Sequence, residues 1–167
     1  MENIYVERVR ANVKRQALYC DMLGSARWVG ELAQRYPARE ITPLTPWFAN
    51  ISIHDVEITG CSTLVDVSAL PEKPVKNFFF GNVKAHCDRI GKICDATKFS
   101  MKDVRIESCD TVMRIDNCDY ASFFGFSNVT TGSSVKIEKT GGECRYLNVQ
   151  TYPLVPVDRR ASCRERV

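Results

Sequence analysis

No apolar run in this 167-residue chain approaches the ~18 residues that a membrane-spanning helix requires. Nor does any Lys/Arg cluster mark a face for nucleic acid or anionic lipid, and the net charge is only +3. Neither nucleic acid nor a membrane is therefore expected as a partner. The opening "MENIYVERVR" carries charges where a secretory signal would carry its apolar core. Histidines number two, and none of the eight cysteines (20, 61, 87, 94, 109, 118, 144 and 163) forms a C-x-x-C pair. A structural zinc site draws on such closely spaced ligands, so neither a metal nor any other cofactor is expected. The cysteines read instead as small apolar residues filling an interior. A disulfide framework does not fit a chain with no secretory signal.

What the sequence does have is a recurring phrase. "NIYVERV" (3–9), "NISIHDV" (50–56), "NFFFGNV" (77–83), "KFSMKDV" (98–104) and "FFGFSNV" (123–129) all end on valine, with a remnant "CRYLNV" ending at Val149. The valines stand 47, 27, 21, 25 and 20 residues apart, so one unit is 20–27 residues and the first interval contains an insertion. A period of that length indicates a solenoid. Within each phrase apolar residues alternate at the strand period of two. Second alternating runs follow at 63–70, 91–96, 111–118 and 134–139, with turn-forming Gly, Pro, Asn and Asp between. Short strands with no helix between them predict an all-β chain, a right-handed parallel β-helix of about five to six coils. The leucine-rich pattern L-x-x-L-x-L is missing.

On this reading Ile51, Ile53, Val56, Phe78, Phe80, Val83, Phe99, Met101, Val104, Phe124, Phe126 and Val129 stack inward in columns. The Asn or Asp before each valine (Asp55, Asn82, Asp103, Asn128, Asn148) suits a corner, where it tolerates left-handed backbone. The exception is 22–47, where Ser25 caps a predicted helix carrying Trp28, Val29, Leu32, Ala33 and Tyr36 until Pro37 stops it. Loops on a rigid scaffold often carry ligand contacts. Trp28, Tyr36 and Trp47 are the candidate sugar-stacking residues, weighed against simple packing of the insertion onto the coil beneath.

The stretch 45–85 resembles the C-terminal coils of glycoside hydrolase family 28, the polygalacturonase-like enzymes of bacterial type. A coil of the form N-I-x-I-x-D-V is followed there by L-P-E-x-P-(I/V)-x-N, matched here by Leu70-Pro71-Glu72-Lys73-Pro74-Val75-Lys76-Asn77. The likeness extends over residues 1–150, and 1–22 is similar to the coil after the family's catalytic region. The resemblance implies a pectin lyase-like solenoid and inverting hydrolysis of α-linked galacturonic acid, in which an acid and a base flank the scissile bond. The family's Asp-Asp, Gly-His-Gly and Arg-x-Lys motifs do not occur in this sequence, and "NCD" (117–119) reads as a turn.

The expectation is thus a C-terminal part, 1–157, of a pectic glycosidase that itself lacks the catalytic carboxylates. Its partners would be a pectic poly- or oligosaccharide and the missing N-terminal coils of the same enzyme. The alternative is a non-catalytic β-helical module that binds carbohydrate or acts as an adhesin. Family members are often exported whereas unpaired cysteines suit a reducing compartment, so localisation stays open. The terminal "ASCRERV" (161–167) breaks the pattern and resembles translated sequencing-adapter read-through, which makes 158–167 a non-native tail.

Overall fold

The structure, a computed structural model, describes residues 1–150. The expected end of the last coil (151–157) and the 158–167 tail lie outside the described residues. The chain winds into a right-handed parallel β-helix of about four turns. Strand β1 (Glu2–Asn12) and strand β2 (Gln16–Asp21) form the first turn, and both pair in parallel with β3 (Ala49–Ser68). Strand β3 pairs with β4 (Val75–Glu107), which continues round into the following turn. Strand β4 then pairs with β5 (Val112–Asp119), β6 (Ser122–Phe124) and β7 (Ser127–Asn128). Short pieces finish the stack: β8 (Ser133–Ser134), β9 (Lys136–Gly141) and β10 (Asn148–Gln150). The five to six coils expected shrink to about four turns because the last rows are broken up, with β7 and β8 forming an antiparallel hairpin.

A strand as long as β4 turns corners without breaking because single residues take left-handed backbone. Asn77, Asn82, Asp95, Lys98 and Asp103 all have φ between 47° and 60°. Asn and Asp pay least for this conformation after glycine. One corner column is Asn3, Asn50 and Asn77, whose side-chain amides bond in a ladder: Asn77 Nδ2 donates to Asn50 Oδ1 at 2.8 Å, and Asn50 Nδ2 to Asn3 Oδ1 at 3.0 Å. Such ladders recur wherever identical residues stack at the ~4.8 Å strand spacing.

The interior follows from the alternation. Val9, Val56 and Val83 are in register, as are Ile51 with Phe78 and Ile53 with Phe80. Phe78 stacks on Phe99 one turn further on, at 4.9 Å between ring centroids, a contact worth ~0.5–1.5 kcal/mol beyond burial. The predicted second runs also stack, Val67 on Ile93 and Ile93 on Ile115. At Gly91, beside Val65, a Cβ would lie 1.9 Å from the Val65 carbonyl oxygen, so that corner (φ +104°) admits only glycine.

The fifth phrase departs from expectation. Met101 pairs with Phe123 and Arg105 with Ser127, so Phe126, not Val129, follows Val104 in its column. Phe123 and Phe126 are buried, whereas Phe124 and Val129 are half-buried. The corner that Asp55, Asn82 and Asp103 occupy passes to Gly125 (φ +64°). Asn128 is instead fully buried, its amide donating to the Ser108 and Asp110 carbonyls while its oxygen accepts from Thr130 N. Asn148 lies within β10.

The insertion is less helical than predicted. Helix α1 (Ala26–Val29), capped by Ser25 Oγ on Arg27 N, gives way to a 3-10 turn at Gly30–Leu32. Gly30 (φ +57°) ends the α-helix before its apolar stripe can form a face, and Trp28, Val29 and Leu32 remain exposed. What fastens the insertion is polar. Arg35 grips Asp95 in a two-pronged pair, Nε to Oδ2 at 2.6 Å and NH2 to Oδ1 at 2.8 Å, and Asn117 Nδ2 also donates to Asp95.

Candidate functional site

In a β-helix the inward positions are spent on stacking, so chemistry that meets a ligand sits on the outward positions of the strands. The residue directly after each repeat valine is one of these. Arg10, Glu57 and Lys84 are in register across β1, β3 and β4, and Arg105 follows one turn on, after Val104. They line a groove running along the helix axis, at right angles to the strands. One part of it, about 460 Å³, is bordered by Arg8, Arg10, Asp55, Glu57, Asn82 and Lys84. The adjoining part, about 410 Å³, shares Glu57 and Lys84 and adds Thr59, His86, Arg105 and Glu107.

Four of these groups, Arg8, Arg10, Lys84 and Arg105, are cations with exposed side chains. Arg10 Nε donates to Glu57 Oε2 at 2.9 Å, and Arg8 NH2 to Glu7 Oε1 at 2.7 Å. Lys84 and Arg105 have no carboxylate within ion-pair distance among the described residues. His86 Nδ1 lies 3.4 Å from Glu107 Oε2. Asn82 and His54 both bond Asp55, which holds its carboxyl below the usual range. The groove thus carries both signs of charge, with Lys84 and Arg105 as its cations without a carboxylate at ion-pair distance among the described residues.

The three aromatic candidates do not converge on it. Tyr36 lines a separate cleft of about 290 Å³ between the insertion and the turn at Leu70-Pro71-Glu72. That turn is closed by Lys73 N donating to Leu70 O at 3.0 Å with Pro71 in its second position. Within the cleft Tyr36 is already engaged: its hydroxyl donates to Glu31 O at 3.1 Å, and the Arg39 guanidinium lies 4.0 Å over its ring. Trp28 is 79% exposed, stands under Arg27 and borders none of these clefts. Trp47 is half-buried, with Lys73 Nζ 5.5 Å from its ring centroid. Of the three, Tyr36 lines one of these clefts, and Trp28 and Trp47 line none of them. The groove was missed because its signal is a charged residue following each repeat valine, a period visible only once the phrases are stacked.

The sequence holds two triplets of the N-glycosylation type, Asn50-Ile51-Ser52 and Asn128-Val129-Thr130, and the second is closed to modification in the folded chain, since Asn128 has no exposed surface. No protein-family model, curated protein or solved structure matches this chain.

Proposed function

We propose that this chain forms C-terminal coils of a polygalacturonase-like glycoside hydrolase, where it holds part of an acidic pectic polysaccharide without supplying the hydrolytic carboxylates. The observation that carries the reading is the axial column Arg10, Glu57, Lys84 and Arg105 on the outside of a parallel β-helix. In it Arg10 pairs with Glu57, while Lys84 and Arg105 have no carboxylate at ion-pair distance among the described residues. A linear polyuronate presents carboxylates at regular intervals along one direction. Stacked strands present side chains at regular ~4.8 Å steps along one direction too. The Leu70-Pro71-Glu72-Lys73-Pro74 connection supports the family assignment, because it forms the tight turn that joins the second and third turns of the helix.

A second reading, a non-catalytic carbohydrate-binding or adhesin-like module, is favoured by one observation. The groove's charged lining lies on the described residues of this chain, yet the sequence carries no Asp-Asp, Gly-His-Gly or Arg-x-Lys motif. The two readings separate on whether coding sequence ahead of Met1 specifies those motifs in order.

Both are tested by affinity electrophoresis in polygalacturonate against a fully methyl-esterified pectin. Retardation should occur only with the free acid and weaken with salt. Lys84→Ala with Arg105→Ala should weaken it about tenfold, since two exposed ionic contacts contribute ~0.7 kcal/mol each. Equal retardation by a neutral glucan would refute the binding role. Release of reducing sugar by this chain alone would refute its non-catalytic character.

A further inference from the structure

At the rim of the groove, β1 and β3 present a cluster of donor atoms that the glycan reading does not use. Tyr5 and Glu7 are two apart on β1 and so share its outward face, and Glu7 is directly in register with His54 on β3. The Tyr5 hydroxyl lies 2.6 Å from His54 Nε2 and 2.9 Å from Glu7 Oε2, and those two atoms are 3.9 Å apart. Each partner is fastened from behind. His54 Nδ1 lies 2.9 Å from Asp55 Oδ2, Asp55 Oδ1 accepts from Asn82, and Glu7 Oε1 accepts from Arg8 NH2 at 2.7 Å.

In the neutral Nδ1–H tautomer of His54, the protons do not suffice for this arrangement. With Nδ1–H donating to Asp55, His54 offers a lone pair at Nε2, and Glu7 Oε2 offers another. The single Tyr5 proton can serve only one of them. A cation placed among the three atoms would satisfy both lone pairs at once. The edges of the triangle, 2.6–3.9 Å, bracket the ~3.3–3.5 Å between neighbouring ligands of a tetrahedral ion with bonds of ~2.0–2.2 Å. An imidazole nitrogen with few oxygens selects zinc-like ions over calcium or magnesium, which favour all-oxygen sites. The Asp55 contact to Nδ1 is the outer carboxylate that fixes the tautomer and ring orientation of a ligating histidine.

We propose that Tyr5, Glu7 and His54 form a binding site for a divalent transition-metal ion of the zinc class. His54 Nε2, Glu7 Oε2 and the Tyr5 oxygen are its ligands, and Asp55 is a positioning residue. The fourth position faces solvent, since Tyr5 is 62% exposed. The site joins two successive turns of the helix and is independent of whether the groove binds a glycan.

The test is titration of the purified chain with Co2+, a spectroscopic stand-in for Zn2+, in the presence of a phosphine reductant. One equivalent should bind with weak visible d–d bands and no intense near-ultraviolet sulfur-to-metal band, which separates this site from the cysteines. His54→Ala and Glu7→Gln should each weaken binding at least 100-fold, Tyr5→Phe at least tenfold, and Asp55→Asn about 10–100-fold. Unchanged far-UV circular dichroism in these outward-facing variants keeps the loss assignable to the ligands. Binding by His54→Ala within threefold of the parent chain, or a thiolate band, would overturn the proposal.

Discussion

Replacing Arg35 by alanine isolates the contact that holds the insertion to the β-helix. Asp95 has no exposed surface and sits in left-handed backbone (φ 60°), so its carboxylate cannot turn to water when its partner is removed. Two charge-assisted bonds at 2.6 and 2.8 Å would be lost, leaving only the Asn117 amide. Removing one partner of a buried pair costs ~3–5 kcal/mol. Arg35 keeps 40% of its side chain exposed, which places the cost at the lower end, about 3 kcal/mol. For a chain of this size that is a fall in Tm of about 6–12 °C, measured by circular dichroism. Limited proteolysis should cut within 22–47 sooner than in the parent chain. Asp95→Asn keeps the αL-tolerant residue and removes the charge, and should cost about 1 kcal/mol. The double variant should then be more stable than Arg35→Ala alone, because no unpaired carboxylate remains. A Tm for Arg35→Ala within 2 °C of the parent, or a larger loss for Asp95→Asn than for Arg35→Ala, would refute the reasoning.

Lys98 (φ 56°) follows Asn77 in the corner column where three asparagines already ladder. Lys98→Asn should therefore raise stability by about 0.5–1 kcal/mol in urea denaturation, from relief of left-handed strain and one added amide bond. Burial pushes the Cys20 thiol up to about 11 and the Cys118 thiol up to about 12. A folded-state pKa above the unfolded one means stability is full below pH ~9 and is lost as pH rises toward the folded values. Cys118 alone should withdraw about 3 kcal/mol by pH 11, and Tm measured from pH 8.5 to 11 should fall less steeply in Cys118→Ala.

The first four phrases were legible because their markers are physically required. An apolar residue at every second position must face the interior, and Asn or Asp is tolerated where the chain turns left-handed. The same markers misled in the fifth phrase. Gly125 took the corner, leaving no Asn or Asp to announce it, while Asn128-Val129 three residues later imitated the phrase ending. The true register, Met101 on Phe123, is carried by burial, and "FFGF" offers an apolar residue for either alignment. The insertion was misjudged at Gly30, where periodicity predicted a helix and a single residue with φ +57° ended it. The Arg35–Asp95 pair, 60 residues apart, had no local signal at all.

The aromatic candidates stand apart from the groove for a different reason, and it bears on where a ligand could be met in such a fold. Exposed tryptophan and tyrosine are plausible sugar platforms one at a time, but a linear ligand is met by a column. Inward columns must stay apolar to stack, so they resemble one another in any β-helix. Outward columns carry no such demand, and a repeated charge there is a departure that stacking does not explain. Arg10, Glu57, Lys84 and Arg105 form one such column beyond the valines. Asp66, Lys92, Arg114 and Glu138 form another on the second strand row, in register with Tyr19. It has acids at both ends and cations between, whereas the first has cations at both ends, with Glu57 paired to Arg10 between them. Both columns border clefts, but the first joins the larger groove, about 460 and 410 Å³ in its two parts, against about 240 Å³ beside Asp66, Lys92 and Arg114. On the proposed reading, the anionic ligand would lie over the repeat valines, where the larger groove runs.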